Sequence, residues 1–174
     1  MIKNINVKSK EALELITQFK EDKYVMCDVR LINVHLTRIS ELIGHPLFMK
    51  NDLFINSQTL WSLMNEDEEK VDSESHTHHP LTPIDILDAL NNMQNPYCVF
   101  KTKYDRISIV VSCLSHYGEP LMAIIEIGAD LINEKGSNIN KLITMYPKDS
   151  IDRAIEKIPA KRLLYVNRLL SIKK

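Results

Sequence analysis

The spacing of apolar and polar residues changes once along the chain, near residue 95. Before that point short helical stripes alternate with extended runs. Ser9 is placed to cap a helix through about Phe19, with Leu13, Ile16 and Phe19 on one stripe. Residues 24–34 (YVMCDVRLINV) are rich in β-branched side chains and read as extended. A short helix is predicted from Thr37 to Ile43, stopped by Gly44 and Pro46. Leu53-Phe54-Ile55 reads as a short strand, and Ser57 caps a short helix carrying Leu60, Trp61 and Met64. Residues 65–75 are acidic and aperiodic, which predicts a loop. Thr82, Pro83 and Asp85 have the spacing of a capped helix start, and that helix runs to about Met93 before Asn95-Pro96 ends it.

Beyond residue 95 the period falls to about two. Strands are predicted at 97–103, 106–114, 120–128 and 138–146, joined by short connections, including a turn at His116-Tyr117-Gly118. A helix at 149–157, capped by Asp149 or Ser150, and a last strand Leu163-Leu164-Tyr165-Val166 complete the chain. The expected class is therefore α+β: N-terminal helices followed by a four- to five-stranded antiparallel sheet meander. Residues 1–50 are expected as a helical and extended appendage packed on a domain of residues 51–174. There is no internal repeat.

Alternation also assigns faces. Ile107, Ile109, Val111 and Cys113 share one face of their strand, and Leu121, Ala123, Ile125 and Ile127 share one face of the next. These faces are expected against the helices. On the other side Asn140, Thr144 and Tyr146 are expected to project together. Lys101 and Lys103 share a face of the first strand, as do Ser108 and Ser112 of the second. Such a face either carries a site or is simply solvated.

Composition narrows the classes. At 174 residues, 44% apolar and 26% charged, the chain has the makings of one soluble domain. No apolar run reaches the length of a membrane span, and Met1-Ile2-Lys3-Asn4-Ile5-Asn6 has no apolar signal region, so a cytoplasmic protein with no membrane contact is expected. Cys27, Cys98 and Cys113 fit no metal or disulfide spacing and read as buried thiols in a reducing compartment. The net charge of −1 hides an asymmetry: residues 141–174 carry +6 and residues 1–140 carry −7. A basic end on an acidic chain fits a polyanion partner or a solvated charged surface.

Candidate chemistry centres on histidine. Three of the six fall at 76, 78 and 79. His76 and His78 with Asp72 or Glu74 is one metal-ligand reading, although no HExxH or CxxC half-site accompanies it. A general acid or base at a helix start is the second, since imidazole titrates near neutrality. Loop histidines with no role are the third. No GxSxG, Walker or GxGxxG signature is present, and with 4 Gly a phosphate-cradling loop is all but excluded.

From His79 onward the chain reads His79-Pro80-Leu81-Thr82, then Asn95-Pro96-Tyr97-Cys98-Val99-Phe100-Lys101. Gly118-Glu119-Pro120-Leu121-Met122-Ala123 and Asn138-Ile139-Asn140-Lys141-Leu142-Ile143-Thr144-Met145-Tyr146 follow, and Leu163-Leu164-Tyr165-Val166-Asn167 closes the pattern. Over roughly residues 50–168 this resembles the phage MuF C-terminal-type domains and related phage domains of the barnase–EndoU–colicin–RelE class of ribonuclease folds. The resemblance implies N-terminal helices before a four-stranded antiparallel sheet. It also implies a metal-independent endoribonuclease without cofactor, a hydrolase toxin of phage or mobile-element origin, with a cognate antitoxin or immunity protein as a further partner. The family histidine falls on His79, with His78 the adjacent alternative. The hydroxyl at the end of the fourth strand falls on Thr144, where relatives have Ser, and the terminal strand positions fall on Tyr165 and Asn167.

Cleavage without metal needs a base for the 2′-OH, an acid for the leaving 5′-oxygen and donors for the phosphorane. The expected catalytic set is His79 or His78 as base or acid, Lys101 or Lys148 as phosphate cation, and Thr144 and Tyr146 as phosphate donors. Lys103, Lys148, Arg162, Tyr165, Asn167 and Arg168 are the expected RNA-binding residues. Two rivals stand beside this reading. One is a non-catalytic module of the same fold that binds a host or phage protein, with the acidic loop as contact. The other is a metal-dependent hydrolase on His76, His78 and Asp72.

Overall fold

A computed structural model describes residues 5–8, 10–12, 14, 27–44, 52–64, 80–102 and 106–168. Its strands are β1 (Ile5–Val7), β2 (Asp28–His35), β3 (Asp52–Asn56), β4 (Pro96–Lys101), β5 (Arg106–Leu114), β6 (Pro120–Leu131), β7 (Glu134–Pro147) and β8 (Leu163–Val166). Its helices are α1 (Thr37–Ile43), α2 (Ser57–Met64), α3 (Pro83–Asn92) and α4 (Ile151–Glu156), with a 3₁₀ turn at Ala160–Arg162.

All eight strands form one mixed sheet in the order β1-β2-β3-β7-β6-β5-β4-β8. The pairs β1/β2 and β3/β7 are parallel and the others antiparallel. This corrects the expectation of N-terminal helices followed by a four- to five-stranded antiparallel meander. The meander β4 to β7 is present, but it is the middle of a larger sheet, and the helices are interspersed among the strands. The cause lies in the β-branched run of β2 and the short apolar β3. Val29, Leu31, Leu53 and Ile55 are buried, and β3 reaches its parallel neighbour β7 by the register Leu53 to Asn140 through Ile55 to Leu142. Hydrogen bonds between β2 and β3 also cross residue 50.

One face of the sheet packs on α1, α2 and α3. Leu31, Leu53, Ile55, Val99, Ile107, Ile109, Ala123, Ile125, Leu142 and Met145 meet Ile39, Leu60, Ile86, Ala89 and Leu90 there. Burial of each large aliphatic side chain contributes about 1.5–3 kcal/mol, so this layer dominates the stability. The opposite face carries a smaller apolar cluster, in which Ile151, Ala154 and Ile155 of α4 cover Cys98, Val110, Met122, Phe100 and Tyr146.

The wet face expected from alternation is therefore largely covered, and β7 does not keep a strict period of two. Its register against β6 shifts between Ile124/Thr144 and Ile125/Leu142, so Ile143 is an extra residue. The bulge puts both Leu142 and Met145 on the helix-covered face. Asn140 goes with them: it is buried and donates from Nδ2 to the Asp52 carbonyl at 2.9 Å. Thr144 and Tyr146, beyond the bulge, lie on the opposite face, each half-buried.

Buried charges tie β2 to β7. Asp28 accepts the backbone N–H of Ile132 at 2.6 Å. The Lys141 ammonium forms an ion pair with Asp28 Oδ1 at 2.8 Å. Arg30 pairs with Asp52 at 2.6 Å.

Candidate functional site

Helix α3 begins as the sequence predicts. Thr82 is its N-cap, accepting the Asp85 N–H on Oγ1 at 3.2 Å, while the Asp85 carboxylate accepts the Thr82 N–H at 2.8 Å. Asp85 does more than cap. Its Oδ2 also accepts the Thr82 hydroxyl at 2.7 Å and meets His116 Nδ1 at 2.5 Å, and its Oδ1 accepts the His116 backbone N–H at 2.8 Å. The carboxylate is buried, with 5% of its side chain exposed, whereas the imidazole it holds is 39% exposed. Burial alone would raise the Asp85 pKa. The hydrogen bonds from Thr82 and His116 outweigh it and leave the group below the usual carboxylate value.

The turn that carries His116 is fixed from two sides. Ser115 donates to the Glu119 carbonyl at 2.7 Å and Gly118 donates to the Ser115 carbonyl at 2.8 Å. Gly118 adopts φ +77°, a left-handed conformation that glycine takes without the Cβ penalty. The Tyr117 ring lies against that of His116, centroids 3.8 Å apart, and its hydroxyl reaches the Pro80 carbonyl at 3.5 Å. A surface imidazole with one ring nitrogen fixed by a carboxylate has its other nitrogen left to take or give a proton.

Lys148 lies at this same end of the sheet. Its backbone N–H bonds the Pro120 carbonyl at 2.8 Å, one residue past the His116 turn. Beyond it run Arg153, Lys157, Lys161, Arg162 and Arg168, all exposed. These six cations make no ion pair with any described residue. Elsewhere Arg30, Arg38, Arg106 and Lys141 are each paired with a carboxylate, whereas Lys8, Lys101 and Lys135 also make no ion pair with a described residue.

The other expected site residues divide. His78, His79 and Lys103 lie outside the described residues, as do His76, Asp72 and Glu74. Lys101 ends β4 opposite Ile107, on the helix-covered face and at the far end of β5 from His116. At about 3.3 Å per residue the seven steps from Ile107 to Leu114 put it roughly 23 Å from that turn. Thr144 and Tyr146 lie on the other face, so the structure does not bring Lys101 to them. Tyr146 pairs with Met122 and packs under α4, where burial raises its phenol pKa. Tyr165 pairs with Val99 on the helix side, and Asn167 donates to the Tyr97 carbonyl at 2.8 Å, extending the β8/β4 pairing. Of the two cations offered for phosphate, Lys148 and not Lys101 neighbours the His116 turn. Among the described residues no three His, Cys, Asp or Glu side chains gather as a metal site, and no helix is long and apolar enough to cross a membrane.

Sequence reasoning missed Asp85 and His116 as a pair. Asp85 was explained by its local cap and His116 by its turn, and the 31 residues between them hide the contact. No sequence signal marks the contact, because the capping box is already satisfied within residues 82–85.

No curated protein and no solved structure matches the chain. The model of the phage MuF C-terminal domain matches residues 70–169, a span that holds α3, the meander, the His116 turn and the whole free basic segment. With more than half of its length matched, the chain belongs to the phage MuF C-terminal domain family.

Proposed function

We propose that this domain is a metal-independent endoribonuclease of phage or mobile-element origin, acting as a toxin. The observation that carries the reading is the run of unpaired cations from Lys148 to Arg168, a surface left free for a polyanion inside the family domain. The segment also holds Asp149, Asp152 and Glu156, which leaves it a net charge of +3, and a phosphate backbone that neutralises this excess releases its counterions. RNA is favoured over DNA because its 2′-OH supplies an internal nucleophile, which dispenses with a metal-activated water. In this reading His79, or its neighbour His78, is one proton-transfer group. Lys148 is the phosphate cation, and Arg162 and Arg168 hold the backbone without reading sequence. A cognate antitoxin would cover the basic segment.

The test is incubation of the purified protein with bulk RNA in EDTA, followed by end-group analysis. Fragments ending in 2′,3′-cyclic phosphate and 5′-hydroxyl support the reading. A folded protein that leaves RNA intact overturns it in favour of the interaction module, and cleavage abolished by EDTA overturns it in favour of a metal-dependent hydrolase.

A further inference from the structure

We infer that His116 is the general base of this centre and that Asp85 is its positioning residue. The inference rests on the ribonuclease reading and supplies a proton-transfer group at a place the sequence did not assign.

The tautomer follows from counting donors. Asp85 already receives the Thr82 N–H, the Thr82 hydroxyl and the His116 backbone N–H. A carboxylate that accepts three hydrogen bonds is ionised and has no proton of its own to give. The nitrogen facing it, His116 Nδ1, must therefore be the donor. In the neutral ring that leaves Nε2 with the free lone pair. The ring plane is held by the carboxylate on one edge and by Tyr117 on its face, so the direction of that lone pair is set before substrate arrives.

The step balances without a co-reactant. His116 Nε2 takes the proton of the ribose 2′-OH as that oxygen bonds to the adjacent phosphorus. The bond from phosphorus to the 5′-oxygen then breaks, the 5′-oxygen takes a proton from water, and the imidazolium returns its own proton to the hydroxide so formed. The imidazolium formed on His116 lies beside a buried negative charge, which stabilises it as the transition state develops. Lys148, at the same end of the sheet, supplies positive charge for the phosphorane oxygens.

The discriminating experiment uses the whole chain with His116→Asn, whose Nδ2 can stand where Nδ1 stood and donate to Asp85 but transfers no proton. Cleavage is measured on an RNA with the natural 5′-oxygen leaving group and on one with bridging 5′-sulfur, which leaves without protonation. Loss of a base slows both substrates by about 10²-fold or more, with the change in kcat rather than KM. If wild type cleaves RNA and His116→Asn keeps its rate, the assignment of His116 fails while the ribonuclease reading stands. Restoration of the variant's rate by the sulfur substrate makes His116 an acid, which also overturns the proposal. A folded wild type that cleaves no RNA removes the ribonuclease reading and this role together. As a second measurement, nitrogen NMR of the ring must show a protonated Nδ1 in the neutral form. A protonated Nε2 with a bare Nδ1 refutes the geometry on which the base rests.

Discussion

Replacing Asp85 by alanine removes the acceptor of four hydrogen bonds at once. Two come from Thr82 and two from His116. The Thr82 hydroxyl can still accept the N–H of residue 85, so half of the capping box survives, and the lost half is worth about 1 kcal/mol. The His116 backbone N–H loses a charged acceptor in a partly buried turn, at about 1.5–3 kcal/mol. The exposed ring adds less because water can replace its partner. Together the variant should lose about 3–4 kcal/mol, a large share of a total of about 5–15. His116→Ala keeps the backbone contact and should cost only about 1 kcal/mol. Urea unfolding at pH 7, read as a shift in midpoint at constant slope, measures both. The double variant should cost less than the two single changes combined, since both remove the ring contact. The pH dependence has a fixed sign. The folded carboxylate titrates below its unfolded value of about 3.9, so its contribution is fully present above that pH and is lost as the pH falls through the lower folded value. The gap between wild type and Asp85→Ala should therefore close in acid. A loss under about 1 kcal/mol at neutral pH, or a gap that widens in acid, would refute the role given to Asp85.

Other outcomes follow from the same contacts. Lys141→Met strands the buried Asp28 carboxylate and should destabilise the fold by about 3–5 kcal/mol in the same assay; an unchanged midpoint would contradict the ion pair. Gly118→Ala must hold φ +77° with a Cβ, which costs about 1–2 kcal/mol of stability although space is open around it. Arg162→Ala should weaken RNA binding and make the slope of log affinity against log salt shallower by about 0.7; an unchanged slope would remove Arg162 from the interface. Cys98 is buried and its thiol is pushed up to about 12, so iodoacetamide should not label it in the folded protein at pH 8. Labelling at the rate of a free thiol would show that the second apolar face is open.

Local signals in the sequence carried the elements well. The Thr82-Pro83-Asp85 start, the strand of residues 106–114, the Gly118 turn and the Leu163–Val166 strand stand where their chemistry predicts. What failed was partnership. Nothing local to Leu53-Phe54-Ile55 states that it lies parallel to β7, because parallel neighbours are chosen by burial of both faces across long loops. One bulged residue, Ile143, moved Asn140 away from the face of Thr144 and Tyr146, and no periodicity argument detects a single insertion. The site shows the same division. The basic segment was legible as charge, whereas its lack of ion pairs depends on how the chain folds around it. Asp85 was legible as a cap, and its second task became visible only with His116 beside it.

The proposed function requires that RNA be cut through its own 2′-OH with no metal. Its most direct test is a labelled oligoribonucleotide bearing one 2′-deoxy substitution on the 5′ side of a mapped cleavage site, incubated with the protein in EDTA beside the all-ribose strand. The all-ribose strand should be cut there to a 2′,3′-cyclic phosphate, and the substituted strand should survive at that bond. Equal cleavage of the two strands at that bond would contradict it.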